Sequence, residues 1–212
     1  MAPTLDVLVI ESVPAAADEA SAALARTGHR LHRCYERGER GFPCKGVRDP
    51  SSCPLEEGVD VAVLVRPHVA PRPSALETGV SCALRAGIPL VEKGSETFDP
   101  FAPWVTARVG DDPTDGLVDA CGEAAETVFG QLTARIQRRA LRAMAVAAGR
   151  PGPLACTIER DGRGLHVRLV GPPVGKDIEH ALAVRVADAV RAEGRSYSTL
   201  DVSYRTTSRA DP

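Results

Sequence analysis

The chain has 212 residues, 43% of them hydrophobic and 25% charged, with a formal net charge of -2. Such a length allows one large domain or two small ones, and the composition is that of a globular chain, which excludes disordered and fibrous classes. No apolar run approaches the roughly 18 residues that span a bilayer, the start MAPTLDVLVIE lacks the positive region of a secretory signal, and balanced charge argues against nucleic-acid binding; a cytoplasmic protein without membrane association is expected.

The first third alternates strands and helices. Residues 5–10 (LDVLVI) form a continuous apolar run, as a strand buried on both faces requires. ESVPAAADEASAALARTG follows, with Pro near its first turn, an Ala-rich body and a Gly stop, which predicts a helix. Residues 30–35 (RLHRCY) read as a second strand and 59–65 (VDVAVLV) as a third. A helix over 74–87 has Ser74 as N-cap and Gly87 as terminator, and 88–92 (IPLVE) is the fourth strand. A fifth is expected near Trp104–Val109. This alternation predicts an α/β domain with a mostly parallel sheet over residues 1–112.

Over 117–148 the period changes. Leu117, Cys121, Ala125, Val128, Leu132, Ile136, Ala140, Met144 and Ala147 recur at spacings of three and four. They form one apolar stripe on a helix of roughly 48 Å, interrupted by Gly122 and Gly130. A connector or self-association surface, spanning 113–149, is the natural reading. Residues 150–212 then form a small α+β unit. LACTIERDG and GLHVRLVG flank a turn and read as a hairpin, 177–193 as an amphipathic helix with Asp177 as N-cap, and 198–205 as a last strand. With the end of the long helix the order is α-β-β-α-β, which resembles the small dimerising domains of cation-efflux transporters and other split ferredoxin-like modules. That resemblance implies a homodimer formed through the long helix and this domain.

The opening β-α-β pattern, with Glu11 just after the first strand, resembles a response-regulator receiver domain and implies a flavodoxin-like, doubly wound sheet. Receivers hold Mg²⁺ on acidic residues after strand one and accept phosphate on an Asp ending strand three. Here Glu11-Ser12 supplies one carboxylate, and strand three ends Val65-Arg66-Pro67-His68. Phosphoryl transfer of that kind is not expected. Dinucleotide binding is no better supported, since ESVPAAAD carries none of the glycines of G-x-G-x-x-G.

The strongest functional lead is the Cys-rich insertion 34–58, CYERGERGFPCKGVRDPSSCPLEEG. Its glycines and prolines break regular helix, and a structureless loop of this length inside a domain needs something to order it. Cys34, Cys44 and Cys53 punctuate it. Zinc or an iron–sulfur cluster crosslinking three thiolates would replace the missing secondary structure. In open α/β sheets ligands sit outside the carboxyl ends of the strands, where Glu11, Cys34, Arg66 and His68 should converge. Cys82, His32 or His68 is the candidate fourth metal ligand, and Glu11 and Arg66 are candidate contacts to a bound cofactor. Cys121 and Cys156 lie on core-facing positions, and the Arg135, Arg138, Arg139 and Arg142 cluster reads as a solvated face.

The leading expectation is a non-catalytic metal- or iron–sulfur-binding, or thiol-redox, sensor or accessory protein with a protein partner. The alternative is a degenerate receiver-like signalling or scaffold module without metal. Third comes an enzyme with a cysteine-lined crevice, using Cys34 and His68 as nucleophile and base.

Overall fold

The computed structural model describes residues 4–56, 58–68, 71–94, 99–110, 116–148, 154–161, 164–193, 197 and 199–207. Five parallel strands, β1 (Asp6–Glu11), β2 (Arg30–His32), β3 (Val61–Arg66), β4 (Leu90–Gly94) and β5 (Val105–Val109), form one sheet in the order β2-β1-β3-β4-β5. β1 and β3, both read from continuous apolar runs, are buried along their whole length. Alternation along the strands divides the core. Val7, Val9, Val61, Val63 and Val91 pack with Ala20 and Leu24 of α1 (Asp18–Arg26). Leu8, Ile10, Ala62, Leu64 and Leu90 pack on the other face with Val80 and Ala83 of α3 (Thr78–Arg85). The sheet therefore carries helices on both sides.

Several boundaries differ from the sequence expectation, each for a local reason. β2 stops at His32, so Cys34 and Tyr35 lie past the strand and turn into the core instead. α1 begins at Asp18, because Ala15 adopts a left-handed φ of 66° and turn hydrogen bonds precede the helix. The helix expected from Ser74 opens as a 3₁₀ turn over Ala75–Glu77, and the Ser74 amide donates to Glu77 Oε2 at 2.5 Å. That carboxylate satisfies an amide which the first turn leaves without a helical partner. The cysteine segment is not wholly irregular. It contains one helical turn, α2 (Lys45–Arg48), and a 3₁₀ turn over Pro50–Ser52 that Asp49 caps through the Ser51 amide at 3.1 Å. Its Cys44 and Leu55 pack on the Leu8/Leu64 side of the sheet.

One helix, α4, runs unbroken over Leu117–Ala148. The chain divides inside it, into units of residues 1–128 and 129–212. Leu117, Cys121, Ala124 and Ala125 belong to the core of the first unit, while Leu132, Ile136, Ala140 and Met144 belong to that of the second. The apolar stripe that the sequence offers for self-association is thus buried within its own chain.

In the second unit β6 (Ala155–Asp161), β7 (Gly164–Gly171) and β8 (Thr199–Thr206) form a mixed sheet. β6 and β7 are an antiparallel hairpin, and β8 returns parallel to β7 after α5 (Lys176–Arg191). Leu165, Val167 and Leu169 meet Leu182, Val186 and Val190 of α5 in a single core. The N-cap of α5 is Gly175, not Asp177, and the Asp177 carboxylate lies in the first turn, where the helix dipole favours it. Among the described residues no helix is long and apolar enough to cross a membrane.

Candidate thiol site

Four cysteines lie in one neighbourhood beside the carboxyl end of β1. Cys34, 8% exposed, is held where β2 has just ended. Its carbonyl accepts the Lys45 amide at 2.7 Å, which fixes the start of α2 and sets Cys44, the N-cap of that helix, beside it. Cys53 reaches the same place from the far side of the loop. A Cβ on Gly46 would stand 2.8 Å from the Cys53 Cβ and 3.0 Å from its Sγ, so the glycine is what lets Cys53 rest on the α2 backbone. A second glycine admits Cys34. A Cβ on Gly79 would stand 3.0 Å from Cys34 Sγ and 3.3 Å from Ile10 Cδ1. Cys82 lies three residues further along α3, on the same helical face as Gly79.

The electrostatics report the same gathering. Burial first, then the neighbouring Cys44, Cys53 and Cys82, together push the Cys34 thiol up to about 12 against the opposing charge of Lys45. Cys121 is also pushed up to about 12, but by burial alone. Cys34 is therefore a protonated thiol at neutral pH and a poor nucleophile unless a cation offsets its charge. Among the described residues no group of three or more His, Cys, Asp or Glu side chains stands in ligating geometry. The sulfurs share a neighbourhood without converging on a single point.

The other residues singled out in the sequence go elsewhere. His32 Nε2 lies 2.8 Å from Asp6 Oδ1, and Arg30 donates to the same carboxylate. Burial works against that charge, yet the Arg30 and His32 hydrogen bonds hold Asp6 below the usual carboxylate range. His68 is exposed just beyond β3. Glu11 is buried, accepts the Ala17 amide at 3.2 Å and stands 3.6 Å from Arg33 Nη1, so its oxygens organise the turn into α1.

Arg66 belongs to a charged cluster that the sequence reading did not find. Its Nε lies 2.7 Å from Glu77 Oε1 and its Nη1 3.3 Å from Asp99 Oδ1, with the Phe101 ring centroid 6.0 Å from the guanidinium carbon. Arg108 contacts Asp99 Oδ2 at 2.6 Å and Glu92 Oε2 at 3.1 Å. Burial first, then the nearby Asp99 carboxyl, push the Glu92 carboxyl up to about 7 against the pull of Arg108 and Arg66, and neither of its buried oxygens finds a hydrogen-bond donor among the described residues. The register explains the grouping. Leu64 pairs with Glu92 and Glu92 with Arg108, while Arg66 follows Leu64 by two residues, so all three charged side chains share one sheet face. The available signal was a carboxylate two residues after Leu90 inside a buried strand.

Comparison with models of known protein families finds no match, and neither does comparison with curated proteins.

Proposed function

We propose that the loop between β2 and β3, together with Cys82 of α3, is a thiolate metal site, with Cys34, Cys44, Cys53 and Cys82 holding zinc or an iron–sulfur cluster in a non-catalytic sensor or accessory protein. The observation that supports this reading is a shared neighbourhood: the Lys45–Cys34 hydrogen bond and the two glycine seats hold Cys34, Cys44 and Cys53 near one another, and Cys82 lies near enough to act on the Cys34 charge. Soft sulfur donors select zinc or iron–sulfur chemistry over magnesium or calcium. Thiolate ligation would require the sulfurs to draw within about 4 Å of one another, as Zn–S bonds of roughly 2.3 Å demand. It would also release protons, so loading should weaken as the pH falls. The neutral state of Cys34 and its burial disfavour a nucleophilic role and leave the accessory reading ahead of the enzymatic one.

The test is elemental analysis and visible absorption of protein prepared anaerobically, with and without reconstitution by zinc or by iron and sulfide. About one zinc or one cluster per chain is expected. Each of Cys34→Ser, Cys44→Ser, Cys53→Ser and Cys82→Ser should lower affinity on the order of 10- to 100-fold, while Cys156→Ser, in the second unit, should not. Protein that takes up neither metal, or that forms a Cys44–Cys53 disulfide on mild oxidation without ever loading metal, would overturn the proposal. The second of those results would make the loop a redox switch.

A further inference from the structure

The cluster at the carboxyl ends of β3, β4 and β5 has an unbalanced charge. Among the described residues it holds two guanidiniums, Arg66 and Arg108, against three carboxyls, Glu77, Glu92 and Asp99. The side chains of Arg66, Glu77, Glu92 and Asp99 are no more than 2% exposed, and only Arg108, at 26%, reaches solvent. A buried group of this kind cannot carry a surplus negative charge cheaply, because desolvation of an unpaired carboxylate outweighs its residual attractions. Placement of the positive charges decides where the surplus falls. Glu77 has Arg66 at 2.7 Å and the Ser74 amide at 2.5 Å. Asp99 has both guanidiniums and the Phe101 amide at 2.7 Å. Among the described residues Glu92 has only Arg108, at 3.1 Å, and neither of its buried oxygens finds a hydrogen-bond donor, while Arg108 also holds Asp99 beside it. A buried carboxyl with no donor on either oxygen ionises at the greatest cost, so the proton that balances the cluster falls on Glu92.

We infer that Glu92 holds a proton beside the ionised Asp99, which makes the carboxyl edge of the first unit a proton-binding site that empties to solvent as the medium turns alkaline. Among the described residues the charged groups facing the pair are Arg66 from β3, Glu77 from the turn before α3, and Arg108 from β5. Lys93, the next residue of β4, points to the opposite sheet face and donates to the Gly110 carbonyl at 3.0 Å. Loss of the proton leaves two carboxylates on Arg108 in a site that offers no further cation among the described residues, and the pair is driven apart. Arg66 bridges Asp99 and Glu77, so the strain reaches the turn that starts α3.

The sign follows from the direction of the shift. The folded-state value of Glu92 is raised from 4.5 to about 7. The stabilisation is complete below the unfolded value and is lost as pH rises through the folded one. The experiment is urea denaturation of wild type and Glu92→Gln at several pH values from about 4.5 to 8.5. Gln supplies the N–H that the protonated acid would supply but cannot ionise. The wild-type folding constant divided by that of Glu92→Gln is expected to fall by about tenfold per pH unit inside the window and to level off above it. A ratio that stays constant across the range overturns the inference. An infrared measurement on wild type alone supplies a second reading that does not depend on the variant folding. A buried carboxylic-acid C=O band should be present at about pH 5.5 and absent at about pH 8.5. Its absence at the lower pH overturns the inference equally.

Discussion

At the scale of single residues, glycine decides more than cysteine does. The cysteines of the loop are conspicuous in the sequence, but their placement depends on Gly46 and Gly79, whose missing side chains make room for Cys53 and Cys34. Nothing local marks those two positions, since the clash each avoids comes from a segment remote in sequence. His32 shows the reverse limit. Two residues from Cys34 it looks like a ligand, yet it bonds to Asp6, because the parallel pairing of β1 with β2 sets the two strands side by side. The firmest residue-level prediction concerns Gly94, which ends β4 at a φ of 133°. A Cβ there would collide with the Arg66 carbonyl oxygen, which is backbone and cannot swing aside. Gly94→Ala combines that collision with a conformation that L-residues rarely adopt and should cost roughly 3 kcal/mol or more. Chemical denaturation monitored by circular dichroism would show it as a large drop in midpoint, and a wild-type midpoint would contradict the geometry.

Among the elements, the legible ones were those whose burial pattern is simple. β1 and β3 are covered on both faces, so their apolar runs are unbroken and their limits fall within two residues of the expectation. α4 was legible over its full length because one stripe serves two cores in succession, and the periodicity does not register where one core ends and the next begins. The edge strand β2 was over-extended, since Cys34 and Tyr35 are apolar through core contacts made beyond the strand. The single turn of α2 is too short to leave a periodic pattern in the sequence, and the partner of its first amide, the Cys34 carbonyl, lies eleven residues away. The two glycines of α4 carry a prediction of the opposite sign to that at Gly94. Added Cβ atoms at Gly122 and Gly130 would meet nothing within 4 Å, and neither residue has a positive φ. Gly122→Ala and Gly130→Ala should therefore each stabilise the protein by about 0.5–1 kcal/mol, through higher helix propensity and a less flexible unfolded chain. Thermal melts of the single and double variants test this, and a lowered melting temperature would reveal a close approach at those positions.

Across the whole molecule, the important fact is that chemistry and packing are distributed unequally. Cys34, Cys44, Cys53, Cys82 and the Arg66–Glu92–Asp99 cluster all lie within residues 1–128, while the second unit contributes a core of its own built on Leu165, Val167 and Leu169. Each unit has enough buried apolar surface to open as a cooperative piece, and native proteins open in such pieces. Two perturbations should then separate them. Leu169→Ala removes a side chain 1% exposed at the centre of the second core and should cost about 2–5 kcal/mol. Hydrogen exchange should show lost protection in β6, β7, β8 and α5, with the amides of β1, β3 and β4 keeping theirs. Raising the pH through the window set by Glu92 should do the converse once intrinsic exchange rates are divided out, lowering protection in β3 and β4 and leaving β7 unchanged. If either perturbation lowered protection in both sheets together, α4 would be acting as a rigid transmitter between the two cores, and a change in the thiol or carboxyl sites would then be felt in the second unit. Separate responses would confine both sites to the unit that contains them.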